Sequence, residues 1–145
     1  DDPAAGPTEA ALGAARARWT MPMASIAAGG GLIVAGSDWP QPSMNPLDAI
    51  QFAVTRQPLD GSKPARQPQE RVGLAQILAA YTKNAAWAAR EDDVDGSIQI
   101  GKAADLIVLD RNLFKIDVMA LHKARVLLTL LDGAPVYRDP NFAWP

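Results

Sequence analysis

Residues 31–40 read Gly31-Leu32-Ile33-Val34-Ala35-Gly36-Ser37-Asp38-Trp39-Pro40, an apolar run that stops on a carboxylate. Leu32, Ile33, Val34 and Ala35 are continuously apolar rather than alternating, which suits a strand covered on both faces, as parallel strands of α/β proteins are. Before it, a helical stretch over 23–28 runs into Gly29-Gly30-Gly31, where glycine can take the left-handed backbone that ends a helix. Helix, glycine turn and buried strand make an α/β unit. In open α/β sheets and α/β barrels, functional groups collect at the carboxyl ends of the strands, where the loops converge on one mouth. Asp38 stands at that end. An aspartate there can bind a hard or borderline cation through oxygen or take a proton from a metal-bound water; it can also simply cap the next turn.

Working outward, Thr8 is placed to cap an alanine-rich helix over 9–19. Beyond Pro40 a proline-punctuated loop leads to Asn45-Pro46 and a helix over 47–55, proline being well tolerated in a first turn. Residues 56–70, RQPLDGSKPARQPQE, are polar and broken by Pro and Gly, which reads as a surface loop or lid. Leu74, Ile77, Leu78 and Tyr81 then fall at i, i+3, i+4 and i+7, one face of an amphipathic helix, and a short helix over 84–90 follows. After Glu91-Asp92-Asp93 the pattern changes. Residues 97–100 alternate, Gly101-Lys102 resembles a turn and 104–109 is strand-like, giving a hairpin; 126–131 and 135–137 flank an Asp132-Gly133 turn. The organisation expected is an α/β part over 1–93 and a β-rich part over 94–145.

Composition narrows the function classes. The chain has 145 residues, of which 48% are hydrophobic, enough for a core. Its 14 basic and 16 acidic side chains nearly cancel and form no basic stripe, so nucleic acid is not an expected partner. There is no cysteine, which excludes disulfides, thiolate metal sites and a cysteine nucleophile. The single histidine, His122, rules out a histidine-rich metal site built from this chain alone. No run approaches the roughly 20 apolar residues of a spanning helix, and no secretory signal is visible, so no membrane role is expected and the cytoplasm is favoured. The start, DDPAAGPTEA, has no initiator methionine, compatible with a processed chain or a piece of something longer.

Taken together, SDWP after an apolar strand, then AVTR, AAYTKNAA, GSIQIGKAADLIVLD and TLLDGAPVY resemble the C-terminal part of the amidohydrolase superfamily over residues 16–137. The G-S-x-x-x-G-K-x-A-D pattern at 96–105 is specific for the superfamily. S-D-W-P and A-V-T-R narrow the resemblance to the branch that includes N-substituted formamide deformylase. The resemblance implies a metal-dependent hydrolase of amide-type, non-peptide C–N bonds, acting through a metal-activated water, with zinc the expected divalent ion of the complete enzyme. It implies the C-terminal part of a TIM (β/α)8 barrel, its last strand and helices, plus the C-terminal strands of a small β-sandwich. Residues 32–37 would be the eighth barrel strand, and Asp38 both the metal-side carboxylate and the catalytic base. The His-x-His pair, a bridging carboxylate and two further histidines would lie upstream, so this chain alone is expected to hold no metal tightly and to be inactive.

The remaining candidates each have an ordinary structural role to set beside the functional one. Trp39 can wall a substrate pocket or merely pack against the strand. Arg56 can meet a substrate anion, or satisfy terminal carbonyls at a helix end. His122, within LHKAR, reads as a solvated loop or helix histidine rather than a ligand. Thr82 and Asn84 sit between two helices, where capping explains them. A single parallel strand also leaves apolar faces and edges open, which the upstream N-terminal part, self-association or a rearranged fold must cover. A small amide-type molecule is the substrate expected of the enzyme; the rival is a non-catalytic α/β module with a packing or oligomerisation role.

Overall fold

The computed structural model describes residues 7–40 and 43–143, with side chains from residue 10 onward. The first helix is broken in two, α1 (Pro7–Leu12) and α2 (Ala14–Ala17), because Gly13 takes φ 72° and cannot continue the α-helix. The expected cap by Thr8 lies outside the described side chains. Helix α3 (Met23–Ala28) ends as expected at the glycine run, with Gly30 at φ 82°. Its first turn is capped from far away. Glu70, in a short 3-10 turn (Pro68–Glu70), accepts from the Ser25 amide at 2.9 Å and its hydroxyl at 2.5 Å. These bonds, the hydroxyl first, hold the Glu70 carboxyl below its ordinary range against the opposing effect of burial.

Helix α4 (Pro46–Thr55) begins where the sequence places it. Asn45 accepts from the Leu47 amide at 3.1 Å, and Pro46 fills the first helical position. Its buried residues Leu47, Ile50 and Ala53 join Val72, Ile77, Ala80, Leu113, Leu121 and Ala124 in one apolar cluster. Ile77 and Ala80 come from α5 (Leu74–Tyr81), which a kink at Thr82 separates from α6 (Lys83–Ala89). The last three come from 3-10 turns, Leu113–Lys115 and Val118–Lys123, and the residue after them. The core therefore runs across residue 93.

The β-rich part keeps three of the four expected strand regions and loses one. Strand β1 (Leu106–Leu109) pairs antiparallel with β2 (Val126–Leu131), which pairs antiparallel with β3 (Ala134–Arg138). The β2–β3 hairpin turns on Asp132 and Gly133, at φ 49° and 77°, the two left-handed residues that a type I′ turn requires. Asp105 accepts from the Asp132 amide at 2.6 Å and so pins this turn beside β1. The expected strand over 97–100, with its hairpin about Gly101-Lys102, is not formed. The Lys102 ammonium instead donates to the carbonyls of Asp92 and Asp95 and to the Ser97 hydroxyl, gathering 92–97 into a knot of turns. Residues 99–102 close a turn instead, the Lys102 amide donating to the Gln99 carbonyl at 3.2 Å; local alternation alone does not supply a partner strand.

At the end of β1, Asp110 accepts from Arg111 and from the amide and guanidinium of Arg125. The Arg111 bonds, followed by the Arg125 amide, hold its carboxyl well below the usual carboxylate range. No helix among the described residues is long and apolar enough to cross a membrane. The result is a small α/β arrangement: helices around one apolar cluster, flanked by a three-stranded antiparallel sheet.

Candidate functional site

The apolar run at 31–38 lies across the helical core, yet it is not the doubly covered strand expected. Among the described residues no strand pairs with it. Its burial alternates: Ile33 and Ala35 pack against the core cluster, while Leu32 and Val34 are 49% and 45% exposed. Four consecutive apolar residues look alike whether one face or two are covered. Only the neighbours decide it.

Two hydrogen bonds from other elements hold this segment. The Ala35 amide donates to the Ala80 carbonyl of α5 at 3.1 Å. The Asn84 side-chain amide, from the first turn of α6, donates to the Ile33 carbonyl at 2.8 Å. Asn84 is thus not a helix cap as expected. Thr82 does not cap α6 through its side chain either, because its hydroxyl donates back to the Leu78 carbonyl at 2.9 Å. No local signal distinguishes a capping asparagine from one that reaches across 51 residues of sequence, which is why sequence reasoning missed it.

Past Ala35 the segment ends on Asp38, at φ 52°, a left-handed conformation that aspartate tolerates better than most residues. The capping role weighed for Asp38 falls to its neighbour: the Ser37 hydroxyl accepts from the Trp39 amide at 3.3 Å. The Asp38 carboxylate is exposed and has no hydrogen bond or ion pair among the described residues. Trp39 is also exposed and joins Pro40 through a cis peptide bond. Beside the segment, Met21, Met23, Ile26, Leu32, Val34 and Phe52 line much of an apolar cavity of about 430 Å³. Neither Asp38 nor Trp39 lines it.

Arg56 is not brought to Asp38. It closes α4 in a left-handed conformation at φ 59°, and only 3% of its surface is exposed. Its guanidinium donates to the carbonyls of Arg66, Met21 and Thr20 at 3.2, 3.3 and 3.4 Å and to the Gln67 side chain at 2.8 Å. The carbonyls it satisfies belong to the neighbouring chain segments, not to the end of its own helix. Burial pushes its pKa down, opposed by Glu70 and reinforced by Arg66. Arg56→Met should cost about 2 kcal/mol, because several partly buried acceptors lose their donor together. Denaturant unfolding of the variant checks this, and an unchanged midpoint would contradict it.

His122 lies elsewhere, its amide and Nδ1 both directed at the Oε1 of buried Gln51, at 3.1 and 2.6 Å. The Gln51 amide in turn donates to the Leu59 carbonyl at 3.0 Å, tying the 56–70 loop to α4. Among the described residues no three His, Asp or Glu side chains gather where they could hold a metal ion. The residues present therefore do not by themselves fit the divalent ion that the amidohydrolase resemblance implies.

Comparison with known proteins follows the same residues. A model of the amidohydrolase family matches residues 4–137. Protein LONG AFTER FAR-RED 3 of Arabidopsis thaliana is 39% identical over 116 residues, 78% of this chain and 19% of that protein. N-substituted formamide deformylase of Arthrobacter pascens is 33% identical over 116 residues, 80% of this chain and 21% of that one. The putative amidohydrolase YtcJ of Bacillus subtilis is 29% identical over 127 residues, 87% and 24% respectively. The crystal structure of an amidohydrolase from Thermotoga maritima superimposes with a TM-score of 0.59 at 25% identity, covering 81% of this chain and 26% of the other. The chain spans only about a fifth to a quarter of the length of these curated relatives. With a family model matching nearly its whole length, the chain belongs to the amidohydrolase family.

Proposed function

We propose that this chain is the C-terminal part of a metal-dependent amidohydrolase that hydrolyses an amide-type, non-peptide C–N bond of a small molecule. The observation that carries this reading is the placement of Asp38. A carboxylate without a protein partner among the described residues stands, on left-handed backbone, at the end of an apolar segment anchored to the core behind it. Such a group is available for chemistry. Residues 32–37 correspond to the last strand of a (β/α)8 barrel, and the sheet of β1, β2 and β3 to the C-terminal share of a β-sandwich. The alternating burial of 32–37 supports this, since a barrel strand stripped of its neighbours packs on its helices with one face and shows the other to solvent.

In hydrolysis a water adds to the carbonyl carbon and the C–N bond breaks. The Asp38 carboxylate accepts the proton that the attacking water gives up and returns it to the departing nitrogen. Zinc or another divalent ion belongs to this reading only through ligands supplied by chain outside the described residues. In this reading Trp39 meets the substrate, a role its exposure beside Asp38 supports. The Arg56 hydrogen bonds support a structural role for that residue in place of substrate binding.

The test compares two purified proteins in the presence of zinc: the 145-residue chain alone and a longer protein that also carries the segment encoded before it. Amide hydrolysis is expected from the longer protein and none from the chain alone. Turnover by the chain alone would overturn the division of the site. An inactive longer protein that binds no metal would favour the non-catalytic module.

A further inference from the structure

We infer that Asn84 is a positioning residue, the side chain that sets the segment carrying Asp38 against the helical core. The inference rests on the reading of Asp38 given above. It begins from a shortage of anchors. Among the described residues, the backbone of 32–38 makes one main-chain hydrogen bond to another element, donated by the Ala35 amide to the Ala80 carbonyl, and accepts one side-chain hydrogen bond, from Asn84 at the Ile33 carbonyl. A strand inside a sheet is placed by its ladder; this segment is placed by one corner between two helices. The two anchors lie on Ile33 and Ala35, the inward-facing residues, so they fix both the height and the rotation of the segment. From Ala35 to Asp38 is three residues, about 10 Å of extended backbone, with Ser37 holding the bend just before it turns.

Asn84 is itself firmly held. It is half-buried, and the N-terminal end of α6 that carries it is backed by Gly96. A Cβ on Gly96 would lie 2.5 Å from the Ala86 Cβ and 3.1 Å from the Lys83 Cα, so the chain at 96 rests directly on α6. The Lys102 ammonium knots the turns on either side of Gly96. A continuous path of contacts thus runs from the glycine-lysine motif through α6 and Asn84 to the backbone before Asp38. It gives the motif a use that a sheet hairpin would not.

The experiment uses Asn84→Asp, which keeps the shape and removes the donor, and Asn84→Leu, which removes all hydrogen bonding. Amide hydrogen exchange is followed at Ala35, whose N–H is the one amide of 33–38 that donates a hydrogen bond among the described residues, and, as an internal reference, at buried Leu128 in β2. In both variants the Ala35 amide should exchange about fivefold to tenfold faster, as expected when one of the segment's two anchors is lost, with Leu128 unchanged. In the longer, active protein Asn84→Asp should lower kcat by about tenfold at unaltered KM, the signature of a misplaced catalytic group. Unchanged exchange at Ala35 in both variants would overturn the inference. So would equal acceleration at Leu128, which marks a general folding role. If the longer protein is inactive with Asn84 intact, the reading of Asp38 fails, and the exchange result still decides the role of Asn84.

Discussion

Asp38→Asn, made in a longer protein that hydrolyses its substrate, should reduce kcat by about 10³-fold, within the range for loss of a general base. Stability should stay within about 0.5 kcal/mol of the parent, as for other exposed positions without structural partners. Both expectations follow from the same geometry. The carboxylate is exposed and makes no bond among the described residues, so the fold does not depend on it. Asparagine accepts the left-handed backbone at φ 52° at least as readily as aspartate, so the exchange leaves the chain path intact. What is lost is the capacity to accept a proton at that place. Asp38→Ala is the poorer test, because alanine is strained at this φ and would mix a backbone effect into the kinetics. Steady-state kinetics beside thermal unfolding separate the two quantities. Retention of more than about a tenth of kcat by Asp38→Asn would remove Asp38 from the chemistry.

Gly96→Val should be the most damaging single change to the fold, at about 4 kcal/mol, combining left-handed strain with overpacking against α6. Gly96 has φ 77°, which a β-branched side chain resists, and its missing Cβ would stand 2.5 Å from the Ala86 Cβ, with the Thr82 carbonyl oxygen at 3.4 Å. Neither partner is the free end of a flexible side chain, so relief requires α6 to move. In a chain of this size the loss corresponds to a fall in unfolding temperature of about 10 °C. Gly36→Ala is the control. That glycine has no positive φ and no atom within 4 Å of a built Cβ, so its midpoint should hardly change. Equal tolerance of the two substitutions would show that the contact between 96 and α6 is loose.

How much was legible depended on whether the signal was local. Asn45-Pro46 begins α4 where expected because the cap and the pre-set φ act within three residues. Asp132-Gly133 forms the expected hairpin turn because both residues accept the left-handed backbone that the turn needs. The 97–100 stretch failed because alternation permits a strand but does not choose a partner, and the chain there turns back through the Lys102 amide and the Gln99 carbonyl, with the Ser97 hydroxyl held by the Lys102 ammonium. Arg56 reads from sequence as a substrate ligand or a local cap. Its actual acceptors lie 10 residues later and 35 and 36 residues earlier in the chain.

The sequence by itself determined the family, through the residues from SDWP to GSIQIGKAAD, and with it the residue on which the chemistry is proposed to rest. It also determined where α4 begins and where α3 ends, because those signals, Asn45-Pro46 and the glycine run, act on adjacent residues. Tertiary structure alone decided which face of 32–35 is covered, and that Asn84 serves Ile33 and not its own helix. It alone decided that Gly96 must lack a side chain to let two segments meet. Each of these depends on a partner distant in sequence, and the preference of a residue for such a partner leaves no periodic or local mark in the chain.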